Sequence, residues 1–466
     1  MKKLSLERVK SNDPLTKKRR KQQKRKQRKQ ALFSLYHQQH IEGIARGKRR
    51  ARNERVPFHK FNESLQTTPG VQFGELINFW KSQYNSIRER AWVRSDQAVL
   101  RIPSVFSLSD EQYAPSSFHF IGQLFDCLYH EKAVHVAIDY QHCQRIDIDA
   151  QVYMDVMLRE FIRYFKTCRR RGLKRHLKGI APVNFGQEQI AKVLFSVGGM
   201  KLFNEVNVSF PDVIPLALQT GYRKHKRSSE LRDLEITRVV DYVVESLRVM
   251  GKALTHTAET LLYKVVGETL INASEHATTN YRYVVGYFQK QAHDEDILGT
   301  LQLVIMNFGD TIYQKFKDAR CPNQDVVRQM EALSESFTQK RFFRAAQFEE
   351  ETLWTLYALQ ESVTSKRARR GNGTIRFIQG FFGLKGDMEC DNESRMTLLS
   401  GRTRIIFNGS YQIDNQGQHK IIPFNSTGSL QDKPDENFVK FVPDYFPGVM
   451  LSARICIKPE NTAPLE

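Results

Sequence analysis

The stretch LLYKVVGETLINASEHA, Leu261–Ala277, decides how the chain is read. Leu262, Val265, Val266, Leu270 and Ala273 recur at helical spacing, so an amphipathic helix is expected. Glu268, Asn272 and His276 stand four residues apart and therefore share one face of that helix, one turn above another. A carboxylate and an amide oxygen so placed can reach one ion and one water together. Asn supplies a neutral, hard oxygen suited to Mg²⁺, which keeps several waters and takes only one or two protein groups. A Glu one turn away can orient a water and remove its proton. Alone, the pattern equally describes a Glu and an Asn on a solvated helix face.

Two further segments follow in order. LQLVIMNFGDTI, Leu301–Ile312, is expected to be an apolar strand running into a glycine turn. In SKRARRGNGTIRFIQGFFG, Ser365–Gly383, Gly371 and Gly373 flank Asn372, and a helix is expected from Thr374. Glycines ahead of a helix N-terminus present backbone N–H groups to phosphate oxygens. Lys366, Arg367, Arg369 and Arg370 lie just upstream, where their charge can meet a triphosphate.

Taken in sequence, the three segments resemble the N, G1 and G2 boxes of the GHKL superfamily of histidine kinases, gyrase, mismatch-repair ATPases and anti-sigma-factor kinases. The resemblance covers residues 226–466 and implies a Bergerat α/β sandwich that binds ATP with Mg²⁺. By that resemblance Glu268 is the general base and Asn272 the metal ligand. Asn307 and Gly309 seat the adenine, and Arg370, Gly371, Gly373 and Thr374 hold the phosphates. The chain departs from the family pattern at three places. Asn307 replaces the Asp of Asp-x-Gly-x-Gly, Thr311 replaces its second Gly, and Val449 in PGVMLSARICI replaces the Thr of the closing strand. An Asn can still accept a hydrogen bond through its carbonyl, more weakly than a carboxylate. The implied activity is slow ATP hydrolysis driving a nucleotide-gated switch in a multi-component system, of the bacterial defence or stress-signalling kind. Two other classes stay open: an anti-sigma-type Ser/Thr kinase acting on a partner, and a catalytically weak nucleotide sensor that attaches to nucleic acid.

Between the second and third segments, residues 313–370 exceed a minimal nucleotide lid. Their charged, helix-like pattern suits a lid, a partner-docking insertion or a plain helical hairpin. Upstream, residues 96–225 alternate strands and helices, the mark of an α/β layer. AVHVAIDY reads as a buried strand, FHFIGQLFDCLYHE and IDIDAQVYMDVMLREFIRYFKTCRRRG as helices, and GIAP as a short strand. In order and pattern this segment resembles the STAS fold. That family's phosphorylatable Ser or Thr is replaced here by Asp147-Ile148-Asp149-Ala150, and acids there are expected to cap the helix. Residues 61–95 are expected to form a helix with Leu76, Phe79 and Trp80 on one side.

The formal charge of +20 is unevenly placed. Residues 1–60 carry 21 Lys and Arg against Glu7, Asp13, Glu42 and Glu54, so a nearly neutral body follows a basic tail. Such a block is expected to be disordered and to contact the phosphate backbone of RNA or DNA without reading sequence. The six cysteines form no CxxC pair, which suits a reducing, cytoplasmic setting. No apolar run is long enough to cross a membrane, and the N-terminus lacks the apolar core of a secretory signal. A protein partner and a homodimer are further expectations. Cys127, His130, His142 and Cys143 match no common zinc spacing, and His256 lacks the dimerising hairpin that a phosphoacceptor would need. The fold class expected is α/β (α+β).

Overall fold

The computed structural model describes residues 72–84, 95–199, 208–222, 228–276, 278–291, 298–338, 348–365, 373–385, 394–416 and 419–465. The basic tail, and its expected disorder and nucleic-acid contacts, lie outside the described residues.

The first part of the chain is a parallel α/β layer. Strands β1 (Ser95–Arg101), β3 (Ala133–Asp139) and β5 (Gly179–Val183) form a three-stranded parallel sheet in the order β1-β3-β5, while β2 (Val105–Phe106) pairs in parallel with β4 (Arg145–Ile146). The helices are α1 (Glu75–Tyr84), α2 (Ala114–Tyr129), α3 (Ile148–Arg170) and α4 (Glu188–Ser196). Pro115 enters at the start of α2, where its missing N–H costs nothing. The entry to α3 differs from expectation. Asp147 makes no capping bond, because its carboxylate turns to Arg145 at 3.2 Å. The buried Asp149 instead accepts from the Leu108 and Ala150 amides at 3.1 and 2.6 Å and ties the 107–110 turn to the helix.

The second part is a five-stranded antiparallel sheet in the order β10-β13-β9-β8-β6, with β6 (Val213–Tyr222), β8 (Tyr281–Lys290), β9 (Gly299–Phe308), β10 (Arg395–Phe407) and β13 (Val439–Ile457). Helices α5 (Ser228–Arg248), α6 (His256–His276) and α10 (Gly373–Lys385) cover one face. Between β9 and α10 come α7 (Ile312–Lys317), α8 (Gln324–Thr338) and α9 (Glu350–Tyr357). Leu353, Trp354, Leu356 and Tyr357 are buried in the same core as Leu398 and Ile405, and the Trp354 indole donates to Ser334 at 3.1 Å. The described part of the insertion thus packs as a helical wall of the core. Small antiparallel pairs, β7 (Lys252–Leu254) with β14 (Thr462–Pro464) and β11 (Asp414–Gln416) with β12 (His419–Ile421), close the periphery. β6, which precedes the expected boundary at 225/226, hydrogen-bonds to β8, and the Tyr242 hydroxyl of α5 donates to the Ile214 carbonyl.

Period-2 alternation explains how the two parts join. On β9, Leu301, Leu303 and Ile305 face the α5–α6–α10 core, while Val304, Met306 and Phe308 enter the core of the parallel layer. Trp80 of α1 meets Phe308 edge-on at 5.1 Å, and Tyr153 of α3 lies 5.1 Å from Phe308 and 5.6 Å from Phe446. The sheet therefore has interior on both sides. Polar ties add to the packing. Glu75 accepts from the Asn280 amide group at 2.7 and 2.9 Å, the Arg395 guanidinium donates to the Ser109 carbonyl at 3.1 Å, and Glu111 bridges buried Arg404 and Lys440.

Candidate functional site

Glu268 and Asn272 both lie on α6, one turn apart and half-buried. The side chain of His276 lies outside the described residues. Above them runs α10. A Cβ on Gly380 would come within 2.8 Å of Val265 Cγ2 and 2.9 Å of the Leu261 carbonyl oxygen, and one on Gly383 within 2.7 Å of Leu261 Cδ1. The two glycines let the helices touch backbone to side chain. Arg376 Nη1 stands 4.0 Å from Glu268 Oε1. Contacts of 376 with 268, 380 with 265 and 383 with 261 make the helices antiparallel. The first turn of α10, with Gly373 and Thr374, therefore lies at the same end as Asn272. Free N–H groups and the positive end of the helix dipole face that end. Arg370 and Gly371 lie outside the described residues, as do the side-chain surroundings of Thr374.

β9 delivers its last residues to this end as well. Asn307 is fully buried, and its carboxamide is used twice: Nδ2 donates to the Ala273 carbonyl of α6 at 2.8 Å, and Oδ1 accepts from the Val449 amide of β13 at 3.1 Å. It staples helix to sheet and presents no free edge. This also explains the Asn: a carboxylate could not donate to the Ala273 carbonyl. Gly309 has φ +132°, and a Cβ there would sit 2.2 Å from Thr278 Oγ1, so only glycine lets the α6–β8 turn close over the end of β9. Thr278 Oγ1 accepts from the Asp310 amide at 2.8 Å. Thr311 caps α7 in a reciprocal box with Gln314, at 2.9 and 3.1 Å, which gives the hydroxyl at that position its own purpose.

The structure thus brings Glu268, Asn272, Asn307, Gly309, Gly373 and Thr374 to one end of the second part. Sequence reasoning missed Arg376, although its place three residues into the helix that follows GNG was a usable signal. It also missed the donor role of Asn307. Among the described residues no group of three or more His, Cys, Asp or Glu side chains is placed to hold a metal ion. His130 instead pairs with Asp126 at 3.6 Å, and the Cys143 thiol donates to the Arg145 carbonyl at 3.4 Å. No described helix is long and apolar enough to cross a membrane. No protein-family model matches this chain, and neither a curated protein nor a solved structure matches it.

Proposed function

We propose that residues 208–465 form a Bergerat-type sandwich that binds ATP with Mg²⁺ and turns it over slowly as a conformational switch. The observation that carries this reading is the antiparallel seating of α10 on α6. It sets a glycine-entered helix N-terminus beside a Glu and an Asn one turn apart. An antiparallel sheet with three helices laid on one face supports it. Asn272 offers one hard oxygen, which suits an ion that takes its other ligands from phosphates and water. Bound there, Mg²⁺ neutralises phosphate charge. The Gly373 and Thr374 amides, completed by Gly371 and Arg370, hold phosphate oxygens. Glu268 orients and deprotonates the attacking water. Asn307 and Gly309 shape the base end through backbone and packing.

A second reading, a nucleotide sensor with little turnover, draws on two contacts: Arg376 beside Glu268, and the doubly engaged carboxamide of Asn307. ATP binding and phosphate release decide between them. The wild type, Glu268→Gln and Asn272→Ala would be compared with Mg²⁺. Hydrolysis that drops at least about tenfold in Glu268→Gln with binding retained supports the switch, since a general base is worth that much or more. Binding with no phosphate release in any form supports the sensor, and no binding overturns both. Transfer of the γ-phosphate to a co-purified protein would instead mark a Ser/Thr kinase. The basic tail is proposed as a nucleic-acid anchor, and the parallel, STAS-like layer as a protein-interaction platform.

A further inference from the structure

Within the parallel α/β layer, one segment gathers cations over a long stretch that holds no acid. From residue 161 to 187 the chain carries Arg163, Lys166, Arg169, Arg170, Arg171, Lys174, Arg175 and Lys178, and no Asp or Glu. Its cations all lie in the second half of α3 and the loop into β5. Helix C-termini favour cations, and one or two would satisfy that dipole.

The loop is pinned rather than free. Gly172, at φ +72°, ends the helix, and the buried Glu131 gathers the loop beneath it. Its carboxylate pairs with Arg175 and accepts from the His176 and Leu177 amides, the latter at 3.1 Å. The Arg175 guanidinium also lies over the Tyr164 ring, 5.2 Å from its centre. Glu131 is thus consumed inside, and Glu160, one turn before, is taken by Arg163 at 3.0 Å. Lys166, Arg169, Arg170, Arg171, Lys174 and Lys178 are all exposed, and among the described residues none has a carboxylate partner. Lys178 reaches far enough to help depress the His135 imidazole, behind the larger effect of burial.

We propose that this pinned cationic corner is a binding surface for the phosphate backbone of a nucleic-acid duplex, distinct from the tail. Lys166 and Arg170 follow one another along α3 at i and i+4, about 6 Å apart by helical rise, so both present their charge in one line on the same helix face. Arginine forks suit phosphate oxygens. No large exposed apolar side chain flanks the corner among the described residues, whereas a membrane surface would ask for an apolar anchor. The contact reads charge and shape, not base sequence.

The test uses the full chain and a mixed-sequence DNA duplex, with affinity measured across a salt series by fluorescence anisotropy. Arg169→Glu/Arg170→Glu/Arg171→Glu and, separately, Lys174→Glu/Lys178→Glu are compared with wild type, each checked for an unchanged melting temperature. The expected result is weaker binding and a shallower salt dependence, by about 0.9 in log–log slope for each phosphate that is no longer neutralised. The surface role is overturned if both folded variants keep the wild-type affinity and slope, because the tail then accounts for all binding. It is equally overturned if wild type binds phosphatidylserine vesicles and not the duplex.

Discussion

At the scale of single residues, Asn307 carries the sharpest prediction. Asn307→Ala leaves a buried carbonyl on Ala273 and a buried amide on Val449 without partners, so it should cost about 2–3 kcal/mol in urea unfolding. Asn307→Asp should cost more, since it sets a carboxylate against the Ala273 carbonyl. Asp155 predicts a pH effect. Burial lifts its carboxyl to about 8, against smaller lowering by hydrogen bonds from Gln151 and the Gly199 backbone. Unfolded, the same group ionises near ~4. Between those values the native state holds a proton that the unfolded chain releases, so stability falls as pH rises through that window. Asp155→Asn should flatten this loss, seen as a melting temperature that declines less from pH 5 to 9 than in wild type. The Glu268 and Asn272 pairing was legible in the sequence because helical spacing alone puts the two on one face. The double engagement of Asn307 was not, since it depends on a carbonyl 34 residues earlier in the chain.

At the scale of elements, the α6–α10 contact is the joint on which the proposed site depends. Gly380→Ala would place a methyl 2.9 Å from the Leu261 carbonyl oxygen, a backbone atom that cannot step aside. It should destabilise the protein by about 1–3 kcal/mol and weaken ATP binding as α10 lifts from Glu268, both measured by calorimetry. α2, α3, α6, β3 and β9 were readable from periodicity, whereas α5 and β8 went unread. β6 could not be read: Pro215 and the polar run Gln219-Thr220 break its alternation, and its pairing to β8 skips register between Leu216 and Gln219. The wall built by α8 and α9 was also hidden. Its surface charges suit a mobile lid as well as a packed hairpin, and only the burial of Leu353 and Trp354 separates the two.

At the scale of the whole molecule, the two parts behave as one body. A fragment beginning at residue 226 would lack β6 and would bare Tyr283, Val304, Met306, Phe308 and Phe446 to water. It should aggregate or give no cooperative melt, whereas residues 72–466 should unfold in one transition by calorimetry. Composition and length suggested separate domains; the local hint against this was β9, whose apolar residues fall on both faces, Leu303 and Val304 side by side. A strand with interior on both sides also has few neutral positions: along β9 only Gln302 is not buried. Any change of volume along β9 must be answered in the helices above it or in the parallel layer below, so the two halves of this chain are bound to vary together over evolutionary time, and exchanging one half between relatives without the other should yield chimaeras that do not assemble.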